Sequence, residues 1–99
     1  MTTESRLTSL AIRNAKSRER PYKLYDGRGL FILIQPNGSK LWRLRFHLDG
    51  KENLYALGEY GEEGLSLAEA RDEARSARKL VKQGISPILA RQQTRLAQL

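Results

Sequence analysis

Ninety-nine residues with a formal net charge of +7, a pI near 10.1 and no cysteine make up this chain. A single domain of that size encloses a core but no deep catalytic cleft. The missing cysteines exclude disulfides and thiolate metal sites, and one histidine, His47, leaves zinc short of nitrogen ligands. No run approaches the ~18 apolar residues of a membrane span and no secretory signal precedes the domain, so the expected location is cytoplasmic.

Excess cations point to a polyanion, and nucleic acid is the commonest one inside a cell. Many small basic domains are merely soluble, so the distribution of charge matters more than its sum. Residues 59–73 hold six acids against one base, residues 75–99 hold six bases and no acid, and the remaining bases precede residue 52.

Residues 1–6 are polar and expected to be disordered. Thr8 can cap a short helix over residues 9–15, with Leu7, Ala11, Ile12 and Ala15 as its buried contacts. Lys16, Arg18 and Arg20 form a basic connector to Pro21, which reads as a solvated loop. Residues 22–25 are a short strand. Asp26-Gly27-Arg28-Gly29 then suggests a tight turn with positive φ; a phosphate-cradling loop is the alternative, but a Gly-x-Gly without a following helix is weak support for it.

Residues 30–35 form a continuous apolar run of strand length, expected at the centre of a sheet. Pro36-Asn37-Gly38-Ser39 turns the chain back. A three-residue loop with a glycine bulge is favoured here, setting Ile34 opposite Trp42 and Ile32 opposite Leu44. Phe31 and Leu33 then lie on the other face, where an apolar pair hints at a partner.

From Trp42 to Leu48 apolar and polar residues alternate, the period of a half-buried strand. Asp49-Gly50 supplies the positive-φ pair of a two-residue type I′ hairpin. That turn sets Leu48 opposite Lys51, Phe46 opposite Asn53, Leu44 opposite Tyr55 and Trp42 opposite Leu57. Opposed residues share a face, so Trp42, Leu44, Phe46, Tyr55 and Leu57 form a core surface. Arg43, Arg45 and His47 lie on the other, beside Glu52, Leu54 and Ala56.

A loop with Tyr60 and three acidic residues leads to a capping box, Ser66 with Glu69. Leu67, Ala70, Ala74, Ala77 and Val81 make a thin apolar helix face, and Gly84 and Ile85 are placed to end it. Arg71, Arg75, Arg78 and Lys82 recur on one flank, either a solvated face or a stripe of phosphate contacts. Ser86-Pro87 caps a last helical segment over residues 88–99, with Leu89, Leu96 and Leu99. Asp26 and Asp49 are explained by turn chemistry. No phosphate-binding loop, nucleophile elbow or His-Glu-x-x-His pair occurs, so this chain is not expected to be catalytic.

In order, the chain carries Asp26-Gly-x-Gly29-Leu30-x-Ile32-x-Ile34, Gly38-x-Lys40-x-Trp42, Leu57-Gly58-x-Tyr60, Ser66-Leu-Ala-Glu-Ala-Arg71 and Gly84-Ile-x-Pro87. Together these resemble the amino-terminal arm-type DNA-binding domain of prophage and genomic-island tyrosine recombinases, the integrases of satellite-phage type. The Glu62-Glu63-Gly64 loop is longer than is usual there. The resemblance implies an α+β fold, a three- to four-stranded antiparallel sheet against one long helix, whose sheet enters the DNA major groove. It divides the chain into an arm-type domain over residues 7–85 and, over 86–99, the start of a linker helix towards core-binding and catalytic domains.

The function so implied is sequence-specific binding of double-stranded DNA at arm-type sites, within an integrase that mediates site-specific DNA integration, with other integrase protomers as possible partners and no cofactor. A bacterial, nucleoid-associated setting goes with it. Arg43 and Arg45 are candidates for guanine contacts, and His47 for a base edge or phosphate. Lys40, Lys51 and Lys23 are candidates for phosphates, with Arg28 among the DNA contacts. An RNA-binding module and a protein-interaction domain using Phe31 and Leu33 remain open alternatives.

Overall fold

The computed structural model describes residues 7–97, so the expected disordered tail over 1–6, and Leu99, lie outside the described residues. The chain runs α1 (Ser9–Asn14), β1 (Tyr22–Gly27), β2 (Leu30–Ile34), β3 (Lys40–Leu48), β4 (Lys51–Glu59), α2 (Leu67–Lys82) and α3 (Pro87–Ala97). The four strands form one antiparallel sheet in the order β1-β2-β3-β4. This is the α+β architecture expected from the sequence. Among the described residues no helix is long and apolar enough to cross a membrane.

The β3–β4 hairpin follows from its turn. Asp49 and Gly50 both adopt positive φ, 53° and 75°, and the pairs Leu48–Lys51, Phe46–Asn53 and Leu44–Tyr55 form as expected. Beyond Arg43, which faces Ala56, a bulge shifts the ladder so that Trp42 faces Gly58 instead of Leu57. The glycine at this point suits the loop that follows, since a Cβ there would come within 3.2 Å of the Leu65 side chain, while Leu57, 2 % exposed, still reaches the core.

The β2–β3 register also differs from expectation. Ile34 faces Lys40, Ile32 faces Trp42 and Leu30 faces Leu44. Residues 35–39 form a longer loop than a three-residue turn, closed by the Gln35 amide on the Ser39 carbonyl and the Gly38 amide on the Gln35 carbonyl, both at 2.9 Å. The slip is two residues. Because side chains alternate with period two, Leu30, Ile32 and Ile34 keep the core face that was assigned to them.

That face buries Trp42, Leu44, Phe46, Tyr55 and Leu57 with the three β2 residues, against Leu67, Ala70, Ala74 and Ala77 of α2. The alanines let α2 lie close to the sheet. Trp42 is fully buried, and its indole N–H donates to the Leu65 carbonyl at 2.9 Å. The α2 ends are capped as the sequence indicates. Ser66 and Glu69 complete the capping box, and the Gly84 and Ile85 amides return to Val81 and Leu80. Ile85 itself is 42 % exposed. In α1, Thr8 caps as expected and Ile12 is fully buried, but Ala11 is exposed.

Asp26 is more than a turn residue. It is 9 % exposed, accepts the Leu7 amide at 2.9 Å, and takes two hydrogen bonds from Arg71 of α2 at 2.9 and 2.7 Å. Arg71 also donates to the Leu7 carbonyl at 3.0 Å. The hydrogen bond to Asp26, against the opposing effect of partial burial, raises the Arg71 pKa above its already high ordinary value, so the guanidinium stays charged. One ion pair therefore ties together α1's approach, the end of β1 and the N-terminal third of α2.

Candidate nucleic-acid interface

The helices α1 and α2 pack on the core side of the sheet, which leaves the opposite side open. Register fixes what stands there. One row reads Tyr25–Phe31–Arg43–Ala56 across all four strands, and two further pairs on β3 and β4 are Arg45–Leu54 and His47–Glu52. Arg43 and Arg45 are two residues apart, or ~6.8 Å along one strand. Tyr25 and Leu54 are about half exposed, 49 % and 51 %. Leu54 stands on this face as expected, whereas Tyr25 had no place until the β1–β2 register set it opposite Phe31.

Phe31 is not an exposed patch. It is 2 % exposed, with the Tyr25 ring at 5.7 Å, Lys23 Nζ at 5.0 Å and the Arg45 guanidinium at 5.7 Å from its ring centre. It is a platform on which cations rest, and the expectation of a bare Phe31–Leu33 docking surface is corrected accordingly.

Glu52 organises the far end of this face. Its two oxygens lie 3.6 Å from Arg45 Nε and 3.5 Å from His47 Nε2. Neither separation is a hydrogen bond, and Arg45 Nε is buried without a hydrogen-bond partner. Arg45 is thus oriented by Phe31 beneath it and Glu52 beside it. Arg43 donates to the Trp42 carbonyl at 3.1 Å. Both guanidiniums remain half-buried at the surface, with donors left over for a ligand.

The other sequence candidates separate by position. Lys23 lies on the open face over Phe31. Lys51 is exposed at the hairpin tip, paired with Leu48 and so on helix-side parity. Arg28 is exposed in the β1–β2 turn at φ 54°. Next to it, Gly29 cannot carry a side chain, because a Cβ there would come within 2.3 Å of the Arg45 carbonyl oxygen. Lys40 points to the helix side, where its ammonium donates to the carbonyls of Ile12 at 2.7 Å and Arg13 at 3.3 Å. It closes the end of α1 and stands apart from Arg43 and Arg45.

The α2 flank also divides. Arg71 is held by Asp26 and leaves the stripe. Arg75 pairs with Asp72 at 2.8 Å, and Arg78 Nε donates to the Arg28 carbonyl at 3.2 Å, which brings the helix to the β1–β2 turn. Arg28, Gly29, Arg45, His47 and Arg78 border one cleft there. Spacing within α2 could place its cations on one flank, but not beside this turn.

A family model described as "Arm DNA-binding domain" matches residues 7–94. The chain is 44 % identical over 85 residues to the integrase of Shigella phage Sf6, which covers 86 % of this chain and 22 % of that protein. It is 45 % identical over 84 residues to the prophage integrase IntZ of Escherichia coli K12, covering 83 % and 20 %. With the integrase of Enterobacteria phage P4 it shares 33 % identity over 97 residues, covering 96 % and 22 %. The chain thus spans about a fifth of the length of these curated relatives. A cationic open sheet, a supporting helix and a family match over nearly every described residue agree, and the chain belongs to the arm DNA-binding domain family, in the form found in phage and prophage integrases.

Proposed function

We propose that this domain binds double-stranded DNA sequence-specifically at arm-type sites, by laying its open sheet face in the major groove. The observation that carries this reading is the half-buried pair Arg43 and Arg45, set on one strand of the open face with Phe31 and Glu52 positioning the second. Two guanidiniums ~6.8 Å apart can address neighbouring base steps, each donating two parallel hydrogen bonds to guanine O6 and N7. His47 stands beside them for a base edge or phosphate, and Leu54 and Tyr25 offer apolar contact to thymine methyl groups. Lys23, Arg28 and Lys51 serve phosphates at the margins. Lys40 has no part in this, because its ammonium is occupied by α1.

The domain does no chemistry in this reading. It positions a longer tyrosine recombinase on the arms flanking a recombination core, with residues 86–99 leading towards core-binding and catalytic domains of the same protein and with other protomers bound nearby. Duplex RNA would not admit this docking, since the major groove of A-form RNA is too deep and narrow for side chains to read. Competition between duplex DNA and RNA of one sequence should therefore favour DNA.

Duplexes selected from a random pool supply the test. Arg45→Ala should lose roughly 1–3 kcal/mol of specific binding and relax one position of the selected site, while Lys51→Ala weakens all sequences alike. Lys51 is exposed, so its loss should hardly move the melting temperature. Arg45 partly covers Phe31, so its truncation should lower it modestly, and binding is compared well below the melting temperature. Full site preference in Arg45→Ala would remove the open face as the reading surface.

A further inference from the structure

We infer that the interface does not end at the sheet but continues round the β1–β2 turn onto α2, forming a track for the phosphate backbone of one DNA strand. This rests on the major-groove reading above and adds the backbone to it. Two clefts meet at the turn. One, of 470 Å³, holds Arg45 and His47 of the open face; the other, of 740 Å³, holds Arg75, Lys79 and Lys82 of α2. Arg28, Arg78 and Val81 line both, so cations pass without interruption from the face that meets bases to the helix behind it. The Arg78 bond to the Arg28 carbonyl fixes that junction.

Depth explains why the helix would meet phosphates. The major groove is ~8.5 Å deep, and packed layers of secondary structure are about 10 Å apart. A sheet resting on the groove floor therefore lifts the layer behind it to the level of the rim. Arg75, Lys79 and Lys82 recur at i, i+4 and i+7, on one flank over ~10.5 Å of helix axis. Along the duplex axis one strand carries a phosphate about every 3.4 Å, so ~10.5 Å spans about four phosphates, enough for each of the three cations to meet one. The acids at this end leave the track positive. Asp26 is engaged by Arg71, and Asp72, the partner of Arg75, lies a turn nearer the α2 N-terminus. Residues 75–97 contain no acid at all.

The test uses Arg75→Gln/Lys79→Gln/Lys82→Gln in the whole chain, all three being exposed positions. Binding to a selected duplex is measured against salt, beside Arg45→Ala and a control, Arg13→Gln/Lys16→Gln/Arg20→Gln. The control removes the same charge from α1 and the connector, at the other end of β1. The track predicts a loss of roughly tenfold to hundredfold at about 100 mM salt, equal for all sequences, with the log–log salt slope reduced by about 2.7. Hydroxyl-radical protection should shrink by about three nucleotides on one strand only, with the control retaining full protection.

Equal weakening by the two triple variants would reduce the effect to net charge and overturn the inference. An unchanged α2 variant alongside a weakened Arg45→Ala would overturn it while leaving the major-groove reading intact. Absence of duplex binding by the unaltered chain at low salt would end both.

Discussion

Trp42→Ala should destabilise the domain by about 3–5 kcal/mol, the cost of removing a large aromatic from a close-packed core. Its environment places it in the upper part of that range. The side chain is fully buried, meets the Tyr60 ring edge-on at 6.4 Å, and closes the space between β3, α2 and the loop before α2. Truncation also strands the Leu65 carbonyl, which accepts the indole N–H. A domain of this length has a total stability of about 5–15 kcal/mol, so the melting temperature should fall on the order of 15–30 °C. Trp42→Phe keeps most of the volume but not the donor, and should cost distinctly less. A melt that barely moves in Trp42→Ala would show that the sheet–helix junction is held elsewhere.

The second large effect is expected from Asp26→Ala, at about 2–3 kcal/mol. Removing one partner of a fully buried ion pair costs about 3–5 kcal/mol, because the other charge is left without compensation. Arg71 is a little over a third exposed at its side chain and can recover some hydration, which lowers the figure. The Leu7 amide loses its acceptor as well. In a double-mutant cycle with Arg71→Ala, a coupling of about 1–2 kcal/mol should appear, since the two groups share two charge-assisted hydrogen bonds. Site preference, measured well below the melting temperature, should be unchanged, since Asp26 lies away from Arg43 and Arg45. Additive losses in the cycle would mean that Asp26 acts through the turn and not through α2. This prediction separates Arg71, which lines the cleft but is held there by Asp26, from Arg75 and Lys79 of the same helix.

Local rules carried much of the fold in the sequence. The Asp49-Gly50 turn, the alternation of Trp42, Leu44 and Phe46, and the Ser66–Glu69 capping box each involve residues within a few positions of one another. Each appears where those rules place it. Period-two alternation also assigned Leu30, Ile32 and Ile34 to the core, even though the loop before Trp42 proved longer than expected and moved every pair by two. The same rule put Arg43, Arg45 and His47 together on the face away from the core.

Tertiary packing decided the rest, because no local pattern encodes which distant groups meet. Lys40 and Arg71 are two cations among many in the sequence. Only the packing of α1 and α2 turns the first into a cap on Ile12 and Arg13 and the second into the partner of Asp26. Phe31 looked exposed from strand parity. Its burial comes from side chains on neighbouring strands and from the cations above it, which alternation along one strand cannot report. Sequence by itself therefore determined which face of the sheet is cationic, since that depends on period and turn type. Only the tertiary structure decided which cations are left on that face for a ligand, since that depends on whether a carboxylate or carbonyl from elsewhere in the chain already holds them.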